Sequence, residues 1–280
     1  MFARDDVMIN IVIGAGIGGL STGSITRKDG KYLVTALAVE AEPAIAQAHR
    51  LNHPHIPIVE MRIQNTKQTL ELMDRYVPKR FWKKAWVHAS NSCKQASTAN
   101  LALRNLQKAV EDTAWMIKVM ERMKPALWTL ENVPVLFPYF ERKYPTARVF
   151  EMNRHCELAQ SRRRMILSSH RLHMPERTEP PMTVRALFGK AKGWLPSKKY
   201  YTRNSFYSVR DVDHPMYCVT GGNMYMGTER VGDFGKQHNL TVGERAQLQG
   251  FGKMPVWPAQ LSDSTRKDLV AQCIPPPFAA

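Results

Sequence analysis

Five short stretches carry residue types that can do chemistry. Gly14-Ala15-Gly16-Ile17-Gly18-Gly19-Leu20 follows the apolar run Ile9 to Ile13. Its Gly-x-Gly-x-x-Gly spacing suits a strand, a tight turn and close backbone approach to an adenosine-bearing ligand. Glu40 closes the stretch YLVTALAVE, where a carboxylate can accept hydrogen bonds from ribose hydroxyls. Together these two features serve a dinucleotide and an adenosyl ligand equally. The other stretches are NSCKQAS with Cys93, LENVP with Glu131, and AQSRRRMI with the Arg162-x-Arg164 pair. A thiol, a carboxyl and planar guanidinium groups supply a nucleophile, proton transfer and directed hydrogen bonds to anions. Taken singly, each has an ordinary explanation: a small buried cysteine, a strand-end loop, a solvated basic run.

The elements that must position these residues follow from pattern. Residues 8–60 read as strand, glycine turn, short helix, strand, helix (PAIAQAHRLN) and a third strand near IPIV, the start of an open α/β sheet. WVHAS at 86–90 predicts a further strand just before Cys93. Leu106, Val110, Trp115, Val119 and Met120 keep helical spacing within 101–123, Lys124-Pro125 closes that helix, and ALWTLENV reads as strand plus loop. The alternation persists to MILSS at 165–169. Beyond it HMPERTEPPM is proline-rich, and the basic stretch 189–209 interleaves lysines with aromatics, which predicts a loop-rich second domain. LTVGERAQLQGF predicts a helix start with Thr241 as cap and Glu244 three residues on.

With 280 residues, 44% hydrophobic and 23% charged, the chain can bury a substantial core, and it carries no apolar run long enough to span a bilayer and no signal peptide. An intracellular protein is expected, without membrane association. The formal charge of +16 favours a polyanionic partner, and more than half of it lies within 161–204, where eleven Lys and Arg face two acids. Cys93, Cys156, Cys218 and Cys273 lie too far apart for a CxxC pair, so no metal site is expected and the thiols should be reduced.

In order and spacing, NSCKQAS, LENVP, AQSRRRMI and LQGF at 248–251 resemble the Pro-Cys-x-x-x-Ser, Glu-Asn-Val, Gln-x-Arg-x-Arg and Leu-Gln-Gly-Phe motifs of the DNA (cytosine-5) methyltransferase family. The resemblance covers almost the whole chain. It implies a Rossmann-like α/β sheet with helices on both faces, binding S-adenosylmethionine, over 1–169. It further implies a small target-recognition domain over 170–238 and a return to the catalytic domain over 239–280. The donor would lie against Gly14, Ala15, Gly16, Ile17, Gly18, Gly19, Leu20, Glu40, Ala41 and Gln272. A monomer acting on double-stranded DNA, inside a cell, is the expected state. The chain departs from the family at Gly14, where the family has phenylalanine, and at Ser92, where it has proline. His238 and Gly243 stand where it often has arginine.

The resemblance implies a definite chemistry. Carbon 5 of cytosine is a poor nucleophile, so a thiolate, here Cys93, must first add to carbon 6. A carboxyl at nitrogen 3, here Glu131, relieves the charge that builds on the ring. In an extended segment Arg162 and Arg164 point to one side, and both are expected to face the target base and its phosphate; Arg163 would point away, to structure or to phosphate. Gln160, Ser97, Arg163 and Thr220 are the expected DNA contacts. The target base must leave the helical stack, at a cost of a few kcal/mol that contacts to the backbone offset. The same residues leave three other readings open: an RNA cytosine-5 methyltransferase, a DNA-binding protein weakened in catalysis, and, from the glycine turn alone, a flavin oxidoreductase.

Overall fold

A computed structural model of the chain describes residues 7–23, 32–93, 95–96, 105–173, 178–189, 194–196, 209–222, 224–227 and 237–278. The apolar run at the start forms β1 (Val7–Ile13), the glycine turn leads into a short α1 (Gly19–Gly23), and YLVTALAVE forms β2 (Tyr32–Glu40). PAIAQAHRLN is α2 (Pro43–Asn52), entered through a proline whose missing N–H costs nothing in the first turn. The third strand is short, β3 (Ile58–Glu60). An unforeseen α3 (Thr66–Tyr76) follows, capped by Asn65, whose side chain accepts from Gln68 N. After a 3₁₀ turn over Lys79–Lys84 come β4 (Ala85–Ser90), α4 (Leu106–Met123) and β5 (Leu127–Asn132). α4 stops at Lys124, which adopts the left-handed conformation (φ 53°) ahead of Pro125. A four-residue α5 (Phe137–Phe140), β6 (Arg148–Glu151) and β7 (Arg163–Ser168) complete this part.

These strands form one seven-stranded sheet in the order β3-β2-β1-β4-β5-β7-β6. β1 pairs in parallel with β2 and β4, and β4 with β5, whereas β7 runs antiparallel to β5. Chain order therefore reverses direction between β1 and β4, the place where an open sheet leaves a crevice at its carboxyl edge. Side chains alternate faces along each strand. Ile9, Ile11, Ile13, Ala85, Val87, Ala89, Trp128 and Leu130 enter one core with Leu72 and Met73 of α3 and Ala109, Met116, Ile117 and Met120 of α4. The opposite face of the central strands is polar: Asn10, His88, Thr129 and Glu131 are all buried there.

The chain divides into two units, 1–150 with 163–174 and 279–280, and 151–162 with 175–278. The second unit contains α6 (Val184–Phe188), the four-stranded sheet β11-β10-β8-β9 built from β8 (Trp194–Pro196), β9 (Val209–Asp211), β10 (Tyr225–Gly227) and β11 (Gln237–Asn239), and the helices α7 (Val242–Leu248) and α8 (Asp263–Gln272). Residues 239–278 fall in this unit because Leu240, Leu248 and Ala271 share a core with Val212, Met216, Val219 and Met226. α7 begins as its sequence predicts, with a complete capping box between Thr241 and Glu244. No helix among the described residues is long and apolar enough to cross a membrane.

Candidate active site

The glycine turn is fixed by its neighbours at the carboxyl edge of the sheet. Gly14 N and Ala15 N both donate to Val39 O, at 2.9 and 3.1 Å, which binds the turn to the end of β2. Gly14 has φ 68°, and a Cβ there would run into Ser90 O of β4. A side chain at this position therefore has no room, because two adjacent strand ends meet backbone to backbone. Gly18 (φ 97°) is closed in by the ring of His53, whose Nε2 lies 3.1 Å from Gly18 O. Behind it His49 Nε2 contacts Ser21 Oγ at 3.2 Å. Burial lowers the pKa of His53 and pushes that of His49 down to about 3, so a neutral pair of rings supports the turn.

Glu40, at the end of β2, is buried. Its Oε2 accepts from Gly16 N at 2.9 Å, while Oε1 accepts from Ala41 N at 2.8 Å and Glu42 N at 3.1 Å. An ionised carboxylate has about four acceptor sites, so Glu40 can organise the turn and still accept from a bound hydroxyl. Gly16 has nothing within 4 Å of where a Cβ would stand.

Cys93 follows β4 by three residues, and its half-buried thiol is in no disulfide. The loop is tied at its root. Asn91 Nδ2 donates to Thr113 Oγ1 of α4 at 3.1 Å, Asn132 Nδ2 donates to Asn91 Oδ1 at 3.0 Å, and Ala96 N returns to Cys93 O at 3.0 Å. The asparagine of Glu-Asn-Val thus anchors the cysteine loop, while the glutamate turns to the opposite face. There Glu131 Oε1 accepts from Arg164 Nε at 2.7 Å and Oε2 accepts from Ser90 Oγ at 2.8 Å. Ser90 and Glu131 are paired across the β4–β5 register. Arg164 reaches the same edge because β7 is antiparallel and begins there. One step down that face Trp86 Nε1 donates to Thr129 Oγ1 at 2.8 Å, and His88 Nδ1 contacts the same hydroxyl at 2.8 Å. Burial pushes the His88 pKa down to about 4, against a smaller opposing pull from Glu131.

The first unit therefore gathers Gly14, Gly16, Glu40, Cys93, Glu131 and Arg164 at one end of its sheet. Arg163 is exposed beside them in sequence. Arg162 belongs to the second unit, is 1% exposed, and donates to Ala271 O and Cys273 O, each at 3.1 Å. Its predicted alternation with Arg164 presumes one extended strand, but β7 starts at Arg163 and the Arg162 carbonyl instead accepts from Met152 N. Gln160 is also buried in the second unit, with Oε1 accepting from Val219 N and Nε2 donating to Gln249 Oε1 and Leu248 O. Thr220 is half-buried in that unit, its carbonyl held by Arg245, and Gln272 is exposed there. Ser97 lies outside the described residues.

Solved structures match the fold across almost the full length of the chain. An E. coli prophage protein described as a candidate DNA modification methyltransferase aligns with TM-score 0.63 and 12% identity, over 97% of this chain and 96% of that one. The Dnmt2 methyltransferase of S. pombe gives 0.61 and 12%, over 96% and 95%, and the Entamoeba histolytica methyltransferase EhMeth gives 0.62 and 12%, over 97% and 95%. The chain has the methyltransferase fold. No protein-family model matches it, and no curated protein matches it by sequence. Within the methyltransferase fold, Ser90, Asn132 and His88 were not evident as site residues in the sequence. Each lies inside a strand, and its role comes from a register with the neighbouring strand that one-dimensional pattern does not specify.

Proposed function

We propose that this chain transfers a methyl group from S-adenosylmethionine to carbon 5 of cytosine in double-stranded DNA, through a covalent adduct of Cys93. The observation that carries the reading is the gathering of the glycine turn, Glu40, Cys93 and Glu131 at the carboxyl ends of β1, β2, β4 and β5, with Arg164 brought to the same edge by β7. Four loops that are distant in sequence become neighbours at a topological switch point, where this class of sheet binds ligands.

The residues present fit an adenosyl donor. Gly16 leaves open space beside the turn, and Glu40 is a buried carboxylate with acceptor capacity at the end of β2. S-adenosylmethionine, when bound, supplies an electrophilic methyl group. The chain's own residues prepare the cytosine for it. The Cys93 thiolate adds to carbon 6, the ring electrons move toward nitrogen 3, and a proton from Glu131 neutralises that nitrogen. Arg164 holds the Glu131 carboxyl in place through the bond to Oε1. At the end of the cycle water takes the proton from carbon 5, nitrogen 3 returns its proton to Glu131, the C6–S bond breaks, and the thiolate is restored. DNA contacts are assigned to Ser97, Arg163 and Thr220, the last within a loop of the second unit; Gln160, buried with its amide bonded to Leu248, Gln249 and Val219, supports that loop instead of touching DNA.

The test is a duplex carrying 5-fluorocytosine, incubated with S-adenosylmethionine. The fluorine cannot leave as a proton does, so the expected result is a denaturation-resistant protein–DNA adduct that maps to residue 93 and is absent from Cys93→Ala. An adduct that persists in Cys93→Ala, or none with the unaltered chain, overturns the reading. Running cytosine-containing RNA in competition reports the substrate at the same time: capture of RNA in preference to duplex DNA overturns the assignment to DNA.

A further inference from the structure

Ser90 stands where three parts of the site meet. Its carbonyl closes against Gly14 of the donor turn, its side chain donates to Glu131 Oε2 at 2.8 Å, and Cys93 lies three residues beyond it on the loop that leaves β4. The two oxygens of Glu131 are held differently. Oε1 faces Arg164 Nε, a group that donates and never accepts, while Oε2 faces a hydroxyl that can do either. A proton placed on Oε1 would point at an N–H; a proton placed on Oε2 meets an oxygen or an incoming nitrogen. We infer that Ser90 is a positioning residue that makes Oε2 the proton-bearing oxygen of Glu131 and aims it at the ring nitrogen of the substrate.

This inference rests on the proposed methyl transfer and adds to it a specific atom. When Cys93 adds to carbon 6, the proton on Oε2 passes to nitrogen 3. The carboxylate left behind accepts from Ser90 Oγ–H on one oxygen and from Arg164 on the other. When the adduct breaks down, nitrogen 3 returns its proton to Oε2 and Ser90 remains bonded to that oxygen through a lone pair. The hydroxyl thus follows the carboxyl through both states without a change of position. Its backbone is fixed for that task, because the Cα register with Glu131 across β4–β5 and the close approach of Gly14 leave it little freedom.

Ser90→Ala and Ser90→Thr test this beside the unaltered chain. Ser90→Ala is expected to lower kcat about tenfold with KM for DNA changed less than twofold, since the carboxyl is misaimed and the duplex is bound as before. Ser90→Thr, which keeps the hydroxyl, is expected to recover most of the rate. A Ser90→Ala rate equal to that of the unaltered chain, a change confined to KM, or a Ser90→Thr rate as low as that of Ser90→Ala overturns the inference. A second readout needs no activity: with glutamate labelled at its carboxyl carbon, the Glu131 resonance, assigned through Glu131→Gln, should move in Ser90→Ala and return in Ser90→Thr. If the unaltered chain transfers no methyl group, the proposed function fails, and the resonance still decides whether Ser90 holds the carboxyl; a resonance that does not move overturns that as well.

Discussion

Arg164 and Arg162 stand two positions apart, and each is withdrawn from solvent into a different setting. Arg164 meets an opposite charge, with Nε 2.7 Å from Glu131 Oε1 and a side chain only 11% exposed. Arg162 meets neutral oxygens, the carbonyls of Ala271 and Cys273, and its Nη1 lies 3.6 Å from Cys218 Sγ. The same side chain therefore does two kinds of work. Beside Glu131 it pairs with a buried carboxyl; among carbonyls it acts, through its two terminal nitrogens, as a bracket that joins segments of the second unit. Arg245 repeats the bracket, donating to Thr220 O and, at 2.8 Å, to Gly222 O, with Nη2 on Asn239 Oδ1. One residue to its side, His238 and Glu244 form a 2.9 Å pair in place of the arginine the family often carries at 238.

The comparison breaks if the two arginines respond alike to the loss of Glu131. Arg164→Met leaves a buried carboxylate without its cation, which costs about 3–5 kcal/mol. Adding Glu131→Gln should recover part of that, because a neutral amide does not need the partner. Urea unfolding of the two single variants and the double variant gives the coupling directly. Additive losses would show that the ion pair contributes nothing of its own. Under the proposed function, transfer should be lost in all three variants, since that reading makes Glu131 the general acid and each variant misplaces or removes it.

Arg162→Met should cost less, about 1.5–3 kcal/mol for the charge-assisted bonds removed, and should show no coupling to Glu131→Gln. A coupling above about 0.5 kcal/mol would mean that Arg162 also acts on the carboxyl. The two cases are also distinguished by what replaces them: Lys at 164 keeps the charge opposite Glu131, while Lys at 162 cannot span both carbonyls with one planar fork.

The sheet was legible in the sequence where apolar runs were long. β1, β2, α2, β4, α4 and β5 all lie within a few residues of where pattern and capping put them, and an open α/β sheet follows from their order; the methyltransferase form of that sheet came from the motif resemblance. β3 has three residues, and α3 and α8 carry many charges, so periodicity alone outlines them poorly. The glycine turn and Glu40 stood out by residue type after apolar runs, and Cys93 and Glu131 stood out through the motif resemblance; the structure places all of them at or just beyond strand ends. Three consecutive arginines do not specify where β7 begins, so the setting of Arg162, held by carbonyls of the second unit just before the strand, could not be read from pattern. Ser90, His88 and Thr129 were silent because a polar residue inside a strand could as well face solvent. Only pairing with β5 shows that this face is buried.

His88 sharpens the contrast between charged and neutral polar groups on that face. It is fully buried, one pairing step from Ser90 and Glu131, and its pKa is pushed down to about 4. His49, behind the glycine turn, is pushed down to about 3. Unfolded, each ring takes a proton near pH 6.5, so between that pH and the folded values the unfolded chain holds more protons. Stability is therefore intact above pH 6.5 and falls as the pH drops, by at most about 1.4 kcal/mol per unit for each ring. Carboxylates add their own slope only at lower pH, so the window from 6.5 to 5 isolates the histidines. His88→Leu should unfold at lower urea than the unaltered chain at pH 7, having lost the bond to Thr129, yet its midpoint should change less between pH 7 and pH 5. Equal changes in the two proteins would mean that His88 is protonated, or reached by water, in the folded state. The polar face would then be a solvated surface rather than the dry support that lets Ser90 and Arg164 hold one carboxyl between them.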